Sequence, residues 1–226
     1  TYVNIVSNNS NSVYAKTGDI VTLTMSYDED IIFTESFIES NAAINTSLGG
    51  EQFKAEYILS GNEPEGVLDF IINATDYMGN SGSYGSTTDG SQITYDKTLP
   101  QLTNVNVASN NADIAWAKVG DTIMISFVSN EEILIPTVSI LNQVSIVSNL
   151  QNNNYVAVYA PNSSDIEGEV NFEIQFSDLA GNEGTPITAS TNNTKVIFDK
   201  TPPADFTVGL LTPTGGNQVD GMWNST

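Results

Sequence analysis

Ala15-Lys16-Thr17-Gly18-Asp19-Ile20-Val21-Thr22-Leu23-Thr24-Met25-Ser26-Tyr27 is the stretch that decides the fold. From Val21 onward apolar and polar side chains alternate: Val21, Leu23, Met25 and Tyr27 against Thr22, Thr24 and Ser26. A period of two sends one set to a buried face and the other to solvent, which is the pattern of a half-buried strand. Thr, Val and Tyr suit such a pleated surface. Gly18-Asp19 reads as the turn into it, the glycine supplying a positive φ without a steric penalty. The same phrase returns 102 residues on as Ala117-Lys118-Val119-Gly120-Asp121, followed by Ile123, Ile125 and Phe127.

Working outward, the offset holds across the chain. Tyr14 matches Trp116, Tyr57 matches Tyr159, Phe70 matches Phe172, and Glu65-Gly66 matches Glu167-Gly168. Asp76-Tyr77-Met78-Gly79-Asn80 matches Asp178-Leu179-Ala180-Gly181-Asn182. Asp96-Lys97-Thr98-Leu99-Pro100 matches Asp199-Lys200-Thr201-Pro202-Pro203 after one inserted residue. So many in-register matches mark an internal repeat. Strands are expected at about 2–6, 20–27, 33–38, 41–46, 52–59, 66–75 and 91–96, with counterparts in the second copy. Seven short strands per hundred residues, without a helical period, predict an all-β chain of β-sandwiches. The expected domains are 1–100 and 101–203. Residues 204–226 read as the start of a further, different domain, with a first strand at Phe206–Leu210 and a turn at Thr212–Gly216.

Composition narrows the chemistry. The chain has 226 residues, no Cys and no His, and its only basic side chains are six lysines against 27 Asp+Glu, for a net charge of −21. Without His or Cys there is no thiol nucleophile, no Ser-His-Asp arrangement and no imidazole or thiolate metal site. Without Arg there is no bidentate phosphate clamp. An acidic surface repels nucleic acid and anionic lipid. It attracts hard divalent cations, and carboxylate oxygens suit Ca²⁺. No apolar run approaches the ~20 residues of a membrane helix, so no membrane insertion is expected.

The motifs A-K-x-G-D before a strand, an acidic pair after it, D-x-x-G-N between the last two strands and D-K-T-x-P at the boundary recur in this order over residues 1–203. Together they resemble the tandem bacterial immunoglobulin-like domains of large secreted surface proteins and adhesins. The resemblance implies immunoglobulin-like sandwiches and an extracellular, cell-surface location. It also implies a non-catalytic stalk or adhesin segment whose partners are neighbouring domains of one long chain, with a polysaccharide or another cell surface as a further partner. Readings held beside it are a subunit of an extracellular filament or surface layer, and a carbohydrate-binding or accessory module of a secreted enzyme.

In such a sandwich the loop after the second strand and the loop between the last two strands lie at the leading end. The loops after the first and fifth strands lie at the trailing end. At the junction of the copies, Asp19, Glu65 (or Glu63) and Asp96 from the first then approach Glu131, Glu132, Asp178 and Asn182 from the second. This set is the expected Ca²⁺ site, because several loops converge to supply the six to eight oxygens that Ca²⁺ takes. The competing reading is turn chemistry in solvated loops, since Asp, Gly and Asn are also good turn formers. Lys16 and Lys118 are expected to lay their stems over an aromatic edge. Tyr14, Tyr57, Trp116 and Tyr159 are expected to pack in the core or on a sheet face.

Overall fold

The computed structural model describes residues 1–205; the strand and the turn expected beyond Asp205 lie outside them. Every described element is a strand. The first half holds β1 (Tyr2–Ser7), β2 (Tyr14–Ala15), β3 (Ile20–Ser26), β4 (Ile31–Ile38), β5 (Asn41–Ala42), β6 (Ile44–Gly49), β7 (Gln52–Ile58), β8 (Gly66–Val67), β9 (Phe70–Asp76), β10 (Ser81–Tyr84) and β11 (Thr94–Tyr95). The second holds β12 (Leu102–Ser109), β13 (Trp116–Ala117), β14 (Ile123–Ser129), β15 (Thr137–Ile140), β16 (Gln143–Val144), β17 (Ile146–Asn149), β18 (Asn154–Tyr159), β19 (Gly168–Glu169), β20 (Phe172–Gln175) and β21 (Ile197–Phe198).

The deciding stretch becomes β3, and its alternation is obeyed: Val21, Leu23 and Met25 are buried between half-exposed neighbours. It sits in a sheet of order β1-β3-β7-β6, facing a second sheet of order β10-β9-β4-β5. This puts the first, second, fifth and fourth long strands on one side and the third, sixth and seventh on the other, which is the immunoglobulin order. The second half repeats it, with β12-β14-β18-β17 against β16-β15-β20. The chain is therefore an all-β, immunoglobulin-like β-sandwich protein. Side strands close each half: β2 pairs in parallel with β11, and β13 with β21.

Each half has its own apolar core. One gathers Val3, Leu23, Ile38, Ile72 and Tyr95, and the other Val107, Ile125, Val138, Ile174 and Phe198. The aromatic fillings differ. Tyr27 meets Phe53 edge-on at 5.8 Å, whereas Phe127 and Tyr155 stack at 5.5 Å.

Three expected strands come out differently. Residues 41–46 are two strands in different sheets, since the chain crosses over at Ala43, whose N–H donates to Ser36 O at 2.8 Å. Residues 66–75 likewise divide at Leu68 into β8 on the β11 side and β9 on the β4 side. Of 91–96 only Thr94–Tyr95 pairs. β10 carried no signal, because all four of its residues are exposed and none alternates.

Candidate metal centre

The trailing end of the first sandwich is tied down by its own linker. Glu65 Oε1 accepts from Lys97 N at 2.9 Å and Thr98 Oγ1 at 2.8 Å. These bonds, the Lys97 one foremost, hold the Glu65 carboxyl below its usual range. Lys97 Nζ donates to Gly61 O and Glu63 O, both at 2.9 Å. Thr98 N donates to Asp96 Oδ1 at 2.9 Å. The Asp96 side chain thus leaves the sandwich in a fixed direction. The second copy repeats every bond: Glu167 Oε1 takes Lys200 N at 2.8 Å and Thr201 Oγ1 at 2.7 Å, and Thr201 N meets Asp199 Oδ1 at 2.9 Å.

The leading end of the second sandwich supplies the other side. The loop after β14 is pinned beside the linker by two bonds exchanged between Gln101 and Asn130, at 2.7 and 3.0 Å. That places Glu131. The turn after β20 is closed by Asp178, whose Oδ1 accepts Asn182 N and whose Oδ2 accepts Asn182 Nδ2, each at 2.8 Å. Gly181 has φ 80°, a left-handed conformation that a Cβ would strain. Asp178 is only 1% exposed.

One carboxylate oxygen from each of Asp96, Glu131 and Asp178 lies within 4.8 Å of the other two. Oxygens that share one Ca²⁺ at about 2.4 Å lie no more than about 4.8 Å apart, a limit these three satisfy. The donor set is all oxygen, which suits Ca²⁺ and excludes the soft-metal chemistries. Electrostatics point the same way. Burial pushes the Asp96 carboxyl up; the Thr98 bond opposes this, and the charges of Asp178 and Glu65 add to it. Burial also pushes Glu131 up, with Asp96, Asp178 and Glu65 contributing. Each close pair repels by on the order of a few kcal/mol at an effective dielectric near 20. Among the described residues the ion pairs are Lys54–Glu56 and Lys195–Glu169, and neither involves this cluster.

The remaining expected residues take other places. Asp19 Oδ2 accepts Asn9 Nδ2 at 2.7 Å and Lys16 N at 2.8 Å, so it braces the turn instead of facing the carboxylates. Glu65 acts on the cluster through its charge while bonded to the linker. Glu63 is 2% exposed and turned inward, accepting from Tyr57 Oη and from Ser60 N, Ser60 Oγ and Gly61 N. Burial alone would raise its carboxyl, but the Tyr57 and Ser60 bonds bring it down to about 2. Glu132 is exposed, and its charge acts on the Tyr155 hydroxyl. Asn182 Nδ2 donates to Asp96 O at 3.0 Å and to Asp178, so its amide N–H groups serve the turn and the linker.

Two residues that sequence reasoning assigned elsewhere or overlooked cross the junction. Lys16 Nζ donates to Gly181 O at 2.5 Å instead of lying idle over an aromatic edge. Asn9 Nδ2 donates to Ala180 O at 2.8 Å. Asn9 was findable, because Asn111 stands at the same offset as the other matches. Two hydrogen bonds thus join the sandwiches directly, and the Asn182–Asp96 bond ties the second sandwich to the linker. Of the four aromatics, Tyr57 and Tyr159 bond Glu63 and Asp165, while Trp116 is 47% exposed and is not a core residue.

No protein-family model and no curated protein matches the sequence. Among solved structures the chain is similar to the fibronectin(III)-like modules of Clostridium thermocellum CbhA, with 11% identity over 87% of this chain and 94% of that one, at a TM-score of 0.42. It is similar to murine CEACAM1b at 10% identity, covering 88% of this chain and 100% of that one, with a TM-score of 0.38. A third is the D00-D0 domain of intimin, at 13% identity, 88% and 100% coverage, and a TM-score of 0.31.

Proposed function

We propose that residues 1–203 are a two-domain, non-catalytic spacer of an extracellular surface protein, stiffened by Ca²⁺ at the junction of domains 1–100 and 101–203. The observation that carries this reading is the meeting of Asp96, Glu131 and Asp178 within 4.8 Å, the first from the linker that leaves the first sandwich and the others from a loop and a turn of the second. Asp96 belongs to the linker, and Glu131 and Asp178 to the second sandwich, so an ion bound by all three couples them. Ca²⁺ accepts six to eight oxygens with flexible geometry, and water and backbone carbonyls complete the shell. Without an ion the same carboxylates repel and favour opening of the joint.

Three features support the spacer role. The linker is held by its own sandwich through Glu65, Lys97 and Thr98, which removes much of its freedom. Direct bonds from Asn9, Lys16 and Asn182 fix the orientation of the second sandwich. The absence of His, Cys and Arg from the sequence removes imidazole and thiol chemistry and the guanidinium phosphate clamp.

Isothermal titration of the full chain with Ca²⁺, repeated on Asp96→Ala and Asp178→Ala, tests the reading. Saturable binding that both variants weaken at least tenfold is the expected result. Equal, unsaturable heats in all three proteins would reduce the cluster to a solvated acidic surface.

A further inference from the structure

The chain leaves each sandwich through a very short strand, and the linker that follows is fastened beside it. β11 has two residues, against six in β1 at the entry. On one side it runs parallel to β2, where Thr94 N donates to Val13 O and Asp96 N to Ala15 O, both at 2.9 Å. On the other side it pairs with β8, Thr94 opposite Val67 and Tyr95 opposite Gly66. Four further bonds come from the linker: Lys97 N and Thr98 Oγ1 donate to Glu65, and Lys97 Nζ to Gly61 O and Glu63 O. Glu65 directly precedes β8, so its side-chain bonds prolong that pairing past the end of the strand.

The second sandwich is fastened in the same way. Ile197 N donates to Ala115 O at 2.8 Å and Asp199 N to Ala117 O at 2.9 Å. Glu167 accepts from Lys200 N and Thr201 Oγ1, and Lys200 Nζ donates to Ser163 O at 3.0 Å and Asp165 O at 2.8 Å. The carbonyls gripped by the two lysines belong to different loop sequences, Gly61-Asn62-Glu63 and Ser163-Ser164-Asp165, yet the bonds are the same. A pull on the two ends of a sandwich draws β2 and β11 in opposite directions along their shared axis. The bonds between them are then loaded together, not one after another as in a hairpin peeled from its end. Two residues offer few such bonds, and the linker bonds lie where the tension enters, so they must part before β11 is loaded. Resistance of this kind is set by the rate of opening, which equilibrium stability does not fix.

We infer that Glu65, Lys97 and Thr98, with their counterparts Glu167, Lys200 and Thr201, form a force-bearing clasp that sets how fast each sandwich opens under tension. The short exit strand is the reason such a clasp is needed, since the entry is held along the whole of β1 by its pairing with β3. Tension along the chain belongs to the spacer reading. The clasp itself rests on the bonds alone, and no cation takes part in it.

Constant-force pulling on the full chain by its two termini, in EDTA, tests this. Each sandwich that opens releases a step of up to about 350 Å. Glu65→Ala is expected to speed one of the two steps about tenfold, the loss of one carboxylate hydrogen bond. Glu65→Ala combined with Glu167→Ala speeds both. Glu65→Gln keeps an oxygen acceptor and recovers most of the resistance. Asp76→Ala loses a carboxylate cap at the other end of the first sandwich, off the line of force. It lowers the melting temperature and leaves the forced rate unchanged. Equal acceleration by Asp76→Ala and Glu65→Ala, or none by Glu65→Ala, overturns the inference. Should Glu65→Ala not fold, Lys97→Met carries the same test: faster opening supports the clasp and an unchanged rate overturns it. Ca²⁺ titration of the same proteins keeps the two readings apart. A chain that binds no Ca²⁺ yet opens faster without Glu65 keeps the clasp and loses the cation junction; Ca²⁺ binding with a forced rate indifferent to Glu65 does the reverse.

Discussion

The turns at Asp76 and Asp178 are built from the same bonds and stand in different surroundings. Both carboxylates cap an Asn four residues on through one backbone and one side-chain N–H. At Asp76 these bonds, the Asn80 side chain foremost, hold the carboxyl below its usual range. At Asp178 the same turn is pressed against a linker carboxylate and a loop carboxylate. The local motif is therefore a turn in both places, and a cluster of three carboxylates arises only where the linker of another sandwich is brought up to it. The comparison separates what D-x-x-G-N does by itself from what its neighbours make of it.

The largest effect expected within this comparison is on folding. Glu63 and Asp165 occupy equivalent loops, but Glu63 accepts from four donors and Asp165 from Tyr159 Oη and Asn162 N. Glu63→Ala leaves buried donors unmet and costs about 3 kcal/mol by chemical denaturation, more than Asp165→Ala. Glu63 also sets an acid limit. A depressed carboxyl stabilises the fold above its ordinary value of 4.5, and that contribution is lost as pH falls toward about 2.

Next come the paired turns themselves. Asp76→Ala and Asp178→Ala each lose a cap of about 1–2 kcal/mol. Only Asp178→Ala is expected to abolish the Ca²⁺ response of the melting temperature. Equal loss of that response in both variants would mean that the junction is nothing more than two turns. The pH dependence is smaller and opposite in sign to that of Glu63. Asp96 and Glu131 are raised, so in EDTA they take up protons ahead of ordinary carboxylates as pH falls from neutral, and their repulsion declines. The joint then tightens, read as a narrower distance distribution between spin labels on the two sandwiches, while Ca²⁺ affinity drops. A distribution that broadens over this range would contradict the raised values. The smallest effect is that of Lys16→Met, below about 1 kcal/mol in melting but visible in the same distribution.

The strands were legible wherever one face is buried, as in Val21–Met25 and Ile123–Phe127. They were illegible where both faces see solvent, as in β10, or where the chain changes sheets at Ala43 and Leu68. The candidate site was legible as a set of loops at one end, because the repeat fixes which loops meet. Which member of each pair turns inward was not. Glu131 and Glu132 are adjacent in sequence, and only the pinning of Asn130 by Gln101 points the first toward the linker. Glu63 and Glu65 divide in the same way, one into its own loop and the other onto the Lys97 N–H. Acidic spacing alone carries no record of such bonds.

Thermal unfolding of the full chain in EDTA, in Ca²⁺ and in Mg²⁺ at matched ionic strength tests the cation junction most directly. A ligand that binds only the docked, folded form stabilises it by about 2.7 kcal/mol at a hundred times its dissociation constant. The expected result is a melting temperature raised by Ca²⁺ well beyond Mg²⁺, and no such rise in Asp96→Ala. An equal response to both ions, or one reproduced by ionic strength alone, would contradict a calcium-locked joint.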